Sequence, residues 1–166
     1  MKKEKRFIAS EIELRYRSKV PMKDRPQVLS SENSYQILLN HWSEDIEFRE
    51  EFNILLLNKS FRVLGFLNIS KGGIAQTAVD ARIIFAAALK ANAVSILLAH
   101  NHPSQNIQPS QPDIELTKKL IKAGKLLNIH IIDHLIITPF EYFSFADEGL
   151  LASEIASIDT TSDLPY

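Results

Sequence analysis

Apolar residues along the chain follow two patterns, one typical of strands and the other of helices. Residues 52–57 and 94–99 are short, almost continuous apolar runs, which are typical of strands buried on both faces of a sheet. The turn-like stretch Asn58-Lys59-Ser60 after the first run indicates a hairpin. Runs or alternations of apolar residues together predict strands at 11–19 (an edge strand), 52–57, 62–69, 94–99, 129–138 and 142–145.

Apolar residues spaced three or four apart predict three helices. The first opens by N-capping in the segment Ser30-Ser31-Glu32-Asn33-Ser34, because serine and asparagine side chains satisfy free N–H groups at a helix start. The others cover residues 77–91 and 110–127. The order of elements predicts an α/β (α+β) protein with helices packed on both faces of one mixed sheet.

The bulk composition suits one globular domain, which we place at residues 11–151. Residues 1–30 hold nine Lys and Arg against four Asp and Glu, whereas residues 139–166 hold six acidic residues and no Lys or Arg. We therefore expect a flexible basic arm at 1–10 and a flexible acidic tail at 152–166. The arm gives only slight support for a nucleic-acid partner, because the net charge is −1.

We expect a cytoplasmic location and no association with membranes. The start of the chain lacks the apolar segment of a secretory signal, and no apolar run approaches the roughly 20 residues that span a bilayer. The chain has no cysteine, which fits a reducing compartment and excludes thiol nucleophiles and cysteine-based metal sites. Any transition metal would have to be held by His, Asp or Glu.

The stretch Ala99–Asp113, AHNHPSQNIQPSQPD, holds the strongest candidate chemistry. His100 and His102 are two residues apart at the end of an apolar strand, so both side chains point the same way. Ser110 and Asp113 open the next helix, where serine and an acid three residues later also make an ordinary capping box. Each half alone indicates a polar loop or a helix cap, but the combined spacing indicates a metal site.

Two histidines and one aspartate would leave a fourth zinc position for water, as in catalytic rather than structural sites. Such a site also needs a carboxylate that takes the proton of the water and passes it on. A zinc deaminase is excluded, because it requires a Pro-Cys-x-x-Cys segment and the chain has no cysteine.

The string His100-Asn101-His102-Pro103, with Ser110 and Asp113, resembles the JAMM motif of MPN/JAB-domain zinc metallopeptidases. With the later stretch DHLII at 133–137 and SFADEGLL at 144–151, the sequence more narrowly resembles the bacterial RadC family. The resemblance covers roughly residues 10–151 and implies a cytidine-deaminase-like JAB/MPN fold.

The resemblance also implies the roles of individual residues. One zinc ion per chain would be held by His100, His102 and Asp113. The family's glutamate, which precedes an early strand in the context acid-Glu-Phe, corresponds to Glu51, with the adjacent Glu50 as the alternative. Ser110 would stabilise the oxyanion. The implied activity is a metallopeptidase or amidohydrolase that cleaves a peptide or isopeptide bond, with an unknown peptide or protein substrate.

Two other functions remain open. RadC-like proteins are commonly labelled as DNA-repair proteins, so an accessory role on DNA without peptidase activity is an alternative. A scaffolding module whose metal only stabilises the loop is another. Asp133-His134 is predicted to be a hydrogen-bonded structural pair, with an orienting role behind a metal ligand as the lesser alternative.

Overall fold

The computed structural model describes residue 13, residues 15–72 and residues 79–152. A short 3₁₀ helix, Met22–Asp24, precedes the main elements. These are α1 (Ser31–Leu39), β1 (Glu51–Leu57), β2 (Val63–Lys71), α2 (Ala81–Lys90), β3 (Ser95–Asn101), α3 (Gln111–Leu127), β4 (His130–Ile137) and β5 (Tyr142–Ser144).

The five strands of the described chain form one mixed sheet in the order β2-β1-β3-β4-β5. Strands β3 and β4 are parallel and are joined by α3, whereas the other neighbouring strands are antiparallel. The predicted hairpin is confirmed: β1 and β2 are joined by a turn in which the Asn58 side chain accepts the N–H groups of Ser60 and Arg62.

Every residue of β1 and β3 is buried, because these central strands are covered on both faces. Ile54 and Leu56 pack in the core that contains α2 and α3, whereas Leu55 and Leu57 pack in the core that contains α1. The alternation follows from the pleat of a strand, in which successive side chains point to opposite faces. The predicted mixed sheet between helices is therefore confirmed.

Polar side chains cap the helices at the expected places. Ser30 accepts the N–H of Asn33 at the start of α1. The helix predicted at 77–91 begins at Ala81 among the described residues, because Asp80 caps it by accepting the N–H of Arg82. Residues 77 and 78 lie outside the described ranges.

The predicted edge strand at 11–19 is wrong in the part that is described, residues 13 and 15–19, which form no strand. These residues are exposed, and the contact with β2 is made by a side chain: the Tyr16 hydroxyl donates to the carbonyl of Leu64. Residues 1–12 and 153–166 lie outside the described ranges. The basic arm and the acidic tail therefore stay predictions. Within the described ranges, no helix combines the length and apolar character needed to cross a bilayer.

Candidate metal centre

The three predicted metal ligands converge where β3 ends and α3 begins. His100 Nε2 lies 2.9 Å from His102 Nε2 and 3.3 Å from Asp113 Oδ1. The Oδ2 atom of Asp113 lies 3.6 Å from His102 Nε2. This is the one group of three potential ligand residues found in the part of the chain that the structure describes.

Backbone and side-chain partners fix the rings of both histidines. His102 Nδ1 lies 2.6 Å from the carbonyl oxygen of Asn106, which can only accept, so Nδ1 carries the proton and donates. The lone pair of the neutral ring is then on Nε2, the atom that faces the cluster. The His100 ring stacks on Phe52, with ring centroids 6.1 Å apart and planes 10° from parallel.

Asp113 is oriented by the capping box predicted from the sequence. Its Oδ2 accepts the Ser110 N–H at 2.7 Å and the Ser110 hydroxyl at 2.5 Å. Its Oδ1 faces His100. Capping and metal binding are therefore compatible, because the two carboxylate oxygens divide the two tasks.

The electrostatics of the cluster favour a cation among these atoms. Burial opposes the charged form of the Asp113 carboxyl, but the adjacent imidazoles of His100 and His102 and the hydrogen bond from the Ser110 hydroxyl outweigh it and hold the pKa of Asp113 well below its usual range. The hydrogen bond to Asp113 raises the pKa of His102, against the opposing effect of burial. Without a metal, a proton on His102 would occupy part of this position.

The donor set fits zinc. Two imidazole nitrogens and one carboxylate oxygen are ligands that Zn²⁺ accepts, and two ligands at about 2.0–2.1 Å from one tetrahedral ion lie roughly 3.3 Å apart. The distance of 2.9 Å between the two Nε2 atoms and the distance of 3.3 Å from His100 Nε2 to Asp113 Oδ1 are both close to that separation. The two Nε2 atoms also face each other closely, which is unfavourable for two lone pairs unless a cation lies between them.

The cluster opens into a cavity of about 560 Å³. Among the described residues, its lining contains acidic, imidazole, amide, hydroxyl and apolar side chains but no Lys or Arg. Ser110 and Glu50 both belong to the lining, whereas Glu51 does not. The placement of Glu51 at the cluster is therefore wrong, and the alternative, Glu50, is the glutamate that the fold brings to the metal ligands.

The alternation of β1 explains this correction. Phe52 pairs with His100 across the sheet and shares its face. The adjacent Glu51 therefore points to the other face. There its buried carboxylate accepts the Ser43 hydroxyl and lies 3.0 Å from Lys71 Nζ. Glu50, two residues before Phe52, lies on the side of the cavity.

Asn101, between the two histidines, is a further residue of the site that the sequence did not reveal. Its side chain is fully buried and points away from the ligands. Its Nδ2 donates to the carbonyls of Ile46 and Arg49 at 2.5 and 2.7 Å, and its Oδ1 accepts the N–H of Glu51 at 2.7 Å. These bonds hold the backbone on both sides of Glu50 against the ligand strand.

Asp133 and His134 are hydrogen-bonded to each other, as the sequence predicted, but the bond joins the Asp133 carboxylate to the backbone N–H of His134 and not the two side chains. The carboxylate of Asp133 accepts the Ser144 hydroxyl and the N–H groups of His134 and Ala146. The His134 ring lies on the opposite face, with its Nε2 2.8 Å from His100 Nδ1. His134 therefore lies directly behind His100, which is the position that the lesser alternative, an orienting role, would require.

Comparison with known proteins identifies the same family that the sequence resembles, and the match extends over most of the chain. Residues 28–150 match the family model described as the RadC-like JAB domain. Relatives named UPF0758 protein include one from Flavobacterium johnsoniae, 50% identical over 101 residues, which are 61% of this chain and 44% of that protein. Another, from Porphyromonas gingivalis, is 48% identical over 104 residues, or 62% and 46% of the two chains.

A third relative, from Alkaliphilus metalliredigens, is 37% identical over 139 residues, which are 80% of this chain and 60% of that protein. The chain thus spans about half of the length of the first two relatives and less than two thirds of the third. The family match covers most of the present sequence, including β1 to β5 and all three candidate metal ligands. The chain belongs to the family of RadC-like JAB domains.

Proposed function

We propose that this chain is a zinc-dependent amidohydrolase of the JAMM type, which cleaves a peptide or isopeptide bond. The observation that carries the proposal is the convergence of His100, His102 and Asp113 in a cavity that Glu50 also lines. The JAB domain family includes hydrolases, and a ligand set beside a carboxylate is what metal-assisted hydrolysis requires.

The three ligand side chains would hold the metal through His100 Nε2, His102 Nε2 and an Asp113 carboxylate oxygen. A bound zinc ion supplies a Lewis acid and lowers the pKa of water towards about 7. Glu50 accepts a proton from the attacking water and returns it to the leaving amine, so that the carboxyl group ends as it began. In this scheme Glu50 replaces Glu51, because only Glu50 borders the cavity.

Ser110 is proposed to donate its hydroxyl to the oxyanion that develops on the substrate carbonyl. The hydroxyl donates to Asp113 Oδ2 in the structure, so this role requires it to rotate towards the cavity. Asp113 Oδ2 would keep the Ser110 N–H as a partner after that rotation. Because the bond from the Ser110 N–H to Asp113 remains, the Ser110 hydroxyl can turn to a new partner without leaving Asp113 Oδ2 unbonded.

The cavity favours an uncharged amide substrate over a phosphate. Glu50 and Asp113 line it with amide and hydroxyl groups, and no Lys or Arg from the described part of the chain contributes to its lining. Nucleic-acid phosphates are bound chiefly by basic side chains. The accessory role on DNA therefore depends on surfaces other than this cavity, and a binding titration on duplex DNA at low and high salt tests it.

Metal analysis and hydrolysis assays test the proposal together. Purified wild-type protein should contain about one zinc per chain, and the D113A variant should contain much less. The E50Q variant should retain zinc but fail to cleave a quenched peptide mixture or a lysine-linked isopeptide that the wild type cleaves. Wild-type protein without stoichiometric zinc, or a D113A variant that retains it, contradicts the proposed metal site.

A further inference from the structure

A buried chain of hydrogen bonds leads from one metal ligand back to another. His100 Nδ1 lies 2.8 Å from His134 Nε2, and His134 Nδ1 lies 2.6 Å from the Thr117 hydroxyl. The same hydroxyl lies 2.7 Å from the backbone carbonyl oxygen of Asp113. All three side chains in this path are buried. The path therefore joins β3, β4 and α3 directly behind the proposed metal position.

The directions of these hydrogen bonds follow from proton counting. The Asp113 carbonyl has no proton, so the single hydroxyl proton of Thr117 is donated to it. His134 Nδ1 must then donate to the Thr117 oxygen. A neutral imidazole carries only one N–H, which leaves His134 Nε2 as an acceptor.

The last bond in the path sets the state of the ligand itself. Because His134 Nε2 accepts, His100 Nδ1 carries the proton and donates to it. The lone pair of His100 is consequently on Nε2, the atom that faces His102 and Asp113. If Thr117 instead donated to His134, every bond would reverse and His100 would present an N–H to the metal position.

We propose that Thr117 and His134 are positioning residues of the metal centre, which fix His100 in the tautomer whose Nε2 can bind a metal. The inference rests on the metal-binding part of the proposed function and does not require hydrolysis. It gives a physical reason for a histidine in β4 that does not line the cavity but contacts two residues that do, His100 and Phe52.

Aromatic packing holds the His134 ring in the orientation that this path needs. Phe145 stacks on it with ring centroids 4.7 Å apart and planes 21° from parallel, while Phe52 meets it edge-on at 5.6 Å. Rotation of the ring would exchange its two nitrogens and is opposed by these contacts. Both aromatic neighbours are buried, and the His134 ring itself is completely buried between them.

The first test is the tautomer of each histidine in the metal-free wild-type protein at pH 8, measured by long-range ¹H–¹⁵N correlation spectra. We expect His100 and His134 both to carry their proton on Nδ1. A proton on Nε2 of neutral His100 would overturn the proposal. This measurement needs neither zinc nor a substrate. It therefore distinguishes a failure of the hydrogen-bonded path through His134 and Thr117 from a failure of the proposed function.

The second test compares T117V with T117S by competition for zinc against a chelator. T117V keeps the side-chain shape but removes the hydroxyl, so we expect zinc affinity to fall about 10- to 100-fold, as for other partners behind metal-bound histidines. T117S keeps the hydroxyl and should bind zinc within about threefold of wild type. Equal affinity of T117V and wild type would overturn the proposal.

T138V is the matched control for lost stability. The Thr138 hydroxyl is also buried and bonded, donating to the Glu141 carbonyl and accepting the N–H groups of Phe140 and Glu141, but Thr138 is outside the cavity lining. T138V should lower the melting temperature and leave zinc affinity unchanged. If T138V weakens zinc binding as much as T117V does, the effect is general destabilisation and the proposal fails.

Discussion

Glu50 and Glu51 are neighbours in the chain, but only Glu50 lines the cavity of the metal cluster, whereas the carboxylate of Glu51 is buried against Ser43 and Lys71. The two substitutions E50Q and E51Q are therefore expected to separate catalysis from stability. This comparison is well matched, because each variant exchanges one carboxylate for an amide of the same shape.

We expect E50Q to lower the rate of amide hydrolysis by about 10²- to 10⁴-fold, the usual contribution of a general acid/base, with zinc content and melting temperature near those of wild type. E51Q should keep most of the activity and lower the melting temperature, because Lys71 would lose its buried partner. Zinc content, melting temperature and initial rate are measured for both. Loss of activity in E51Q alone would show that the base was assigned wrongly.

Asn101 is expected to connect the ligand strand to the segment that carries Glu50. N101A would leave the carbonyls of Ile46 and Arg49 and the N–H of Glu51 without their partner, so we expect a loss of at least about 2 kcal/mol in the free energy of unfolding. Because the Asn101 side chain does not contact the ligands, the variant should still bind zinc. Denaturant unfolding and zinc titration measure the two effects.

If Glu50 is the base, N101A should also reduce the turnover of zinc-loaded protein, since the backbone around Glu50 is no longer fixed. N33A is a control for the loss of an exposed asparagine bond, because Asn33 Oδ1 accepts the N–H of Leu29 at the start of α1. A variant N101A that folds as stably as wild type would contradict the assigned bonds.

Stability of the metal-free protein should depend on pH through His102 and Asp113. The folded-state pKa of His102 is raised by Asp113, so its contribution is fully present below the unfolded value of about 6.5 and is lost as the pH rises through the folded value. The pKa of Asp113 is lowered, so its contribution is present above about pH 4 and is lost only in stronger acid.

The melting temperature of the metal-free protein should therefore decrease as the pH rises above about 6.5, the unfolded value of the His102 pKa. The zinc-loaded protein should show the opposite trend, because zinc competes with protons for the histidines and binds better as the pH rises. Thermal scans of both forms check this. H102Q is the control, because its metal-free melting temperature should no longer show the pH dependence caused by His102. Parallel trends for the two forms would contradict a shared position for proton and metal.

Gly124 tests the packing of α3 against the start of β4. A Cβ at this position would lie 2.3 Å from the carbonyl oxygen of Ile129, which is backbone and cannot move aside freely. We expect G124A to destabilise the fold by about 1–3 kcal/mol despite the higher helix propensity of alanine. G65A is the control, because a Cβ there meets nothing within 4 Å. Chemical denaturation should leave G65A near wild type; equal stability of G124A would contradict the close approach.

The sequence determined the central strands, the helices and the cluster of His100, His102 and Asp113, because each leaves a local signature. The apolar run at 52–57 marked a strand covered on both faces, and Ser110 with Asp113 marked a helix start whatever else they do. The spacing of His100 and His102 fixed their common direction, since alternation along a strand is a property of the backbone alone. The same alternation places Glu50, two residues before Phe52, on the face of β1 that Phe52 occupies.

Only the tertiary structure decided which partners these residues meet. Whether Glu50 or Glu51 lies near the metal ligands depends on which face of β1 is next to His100. The pairing of Phe52 with His100 across the sheet decides this. In the hydrogen-bonded path behind His100, Thr117 and His134 are 17 positions apart, and His100 and His134 are 34 apart. The Asn101 side chain likewise bonds to a segment some 50 residues earlier in the chain. Such contacts arise from the packing of separate elements, so no local pattern of residues encodes them, and the geometry behind the metal ligands became visible only once the sheet and α3 were assembled.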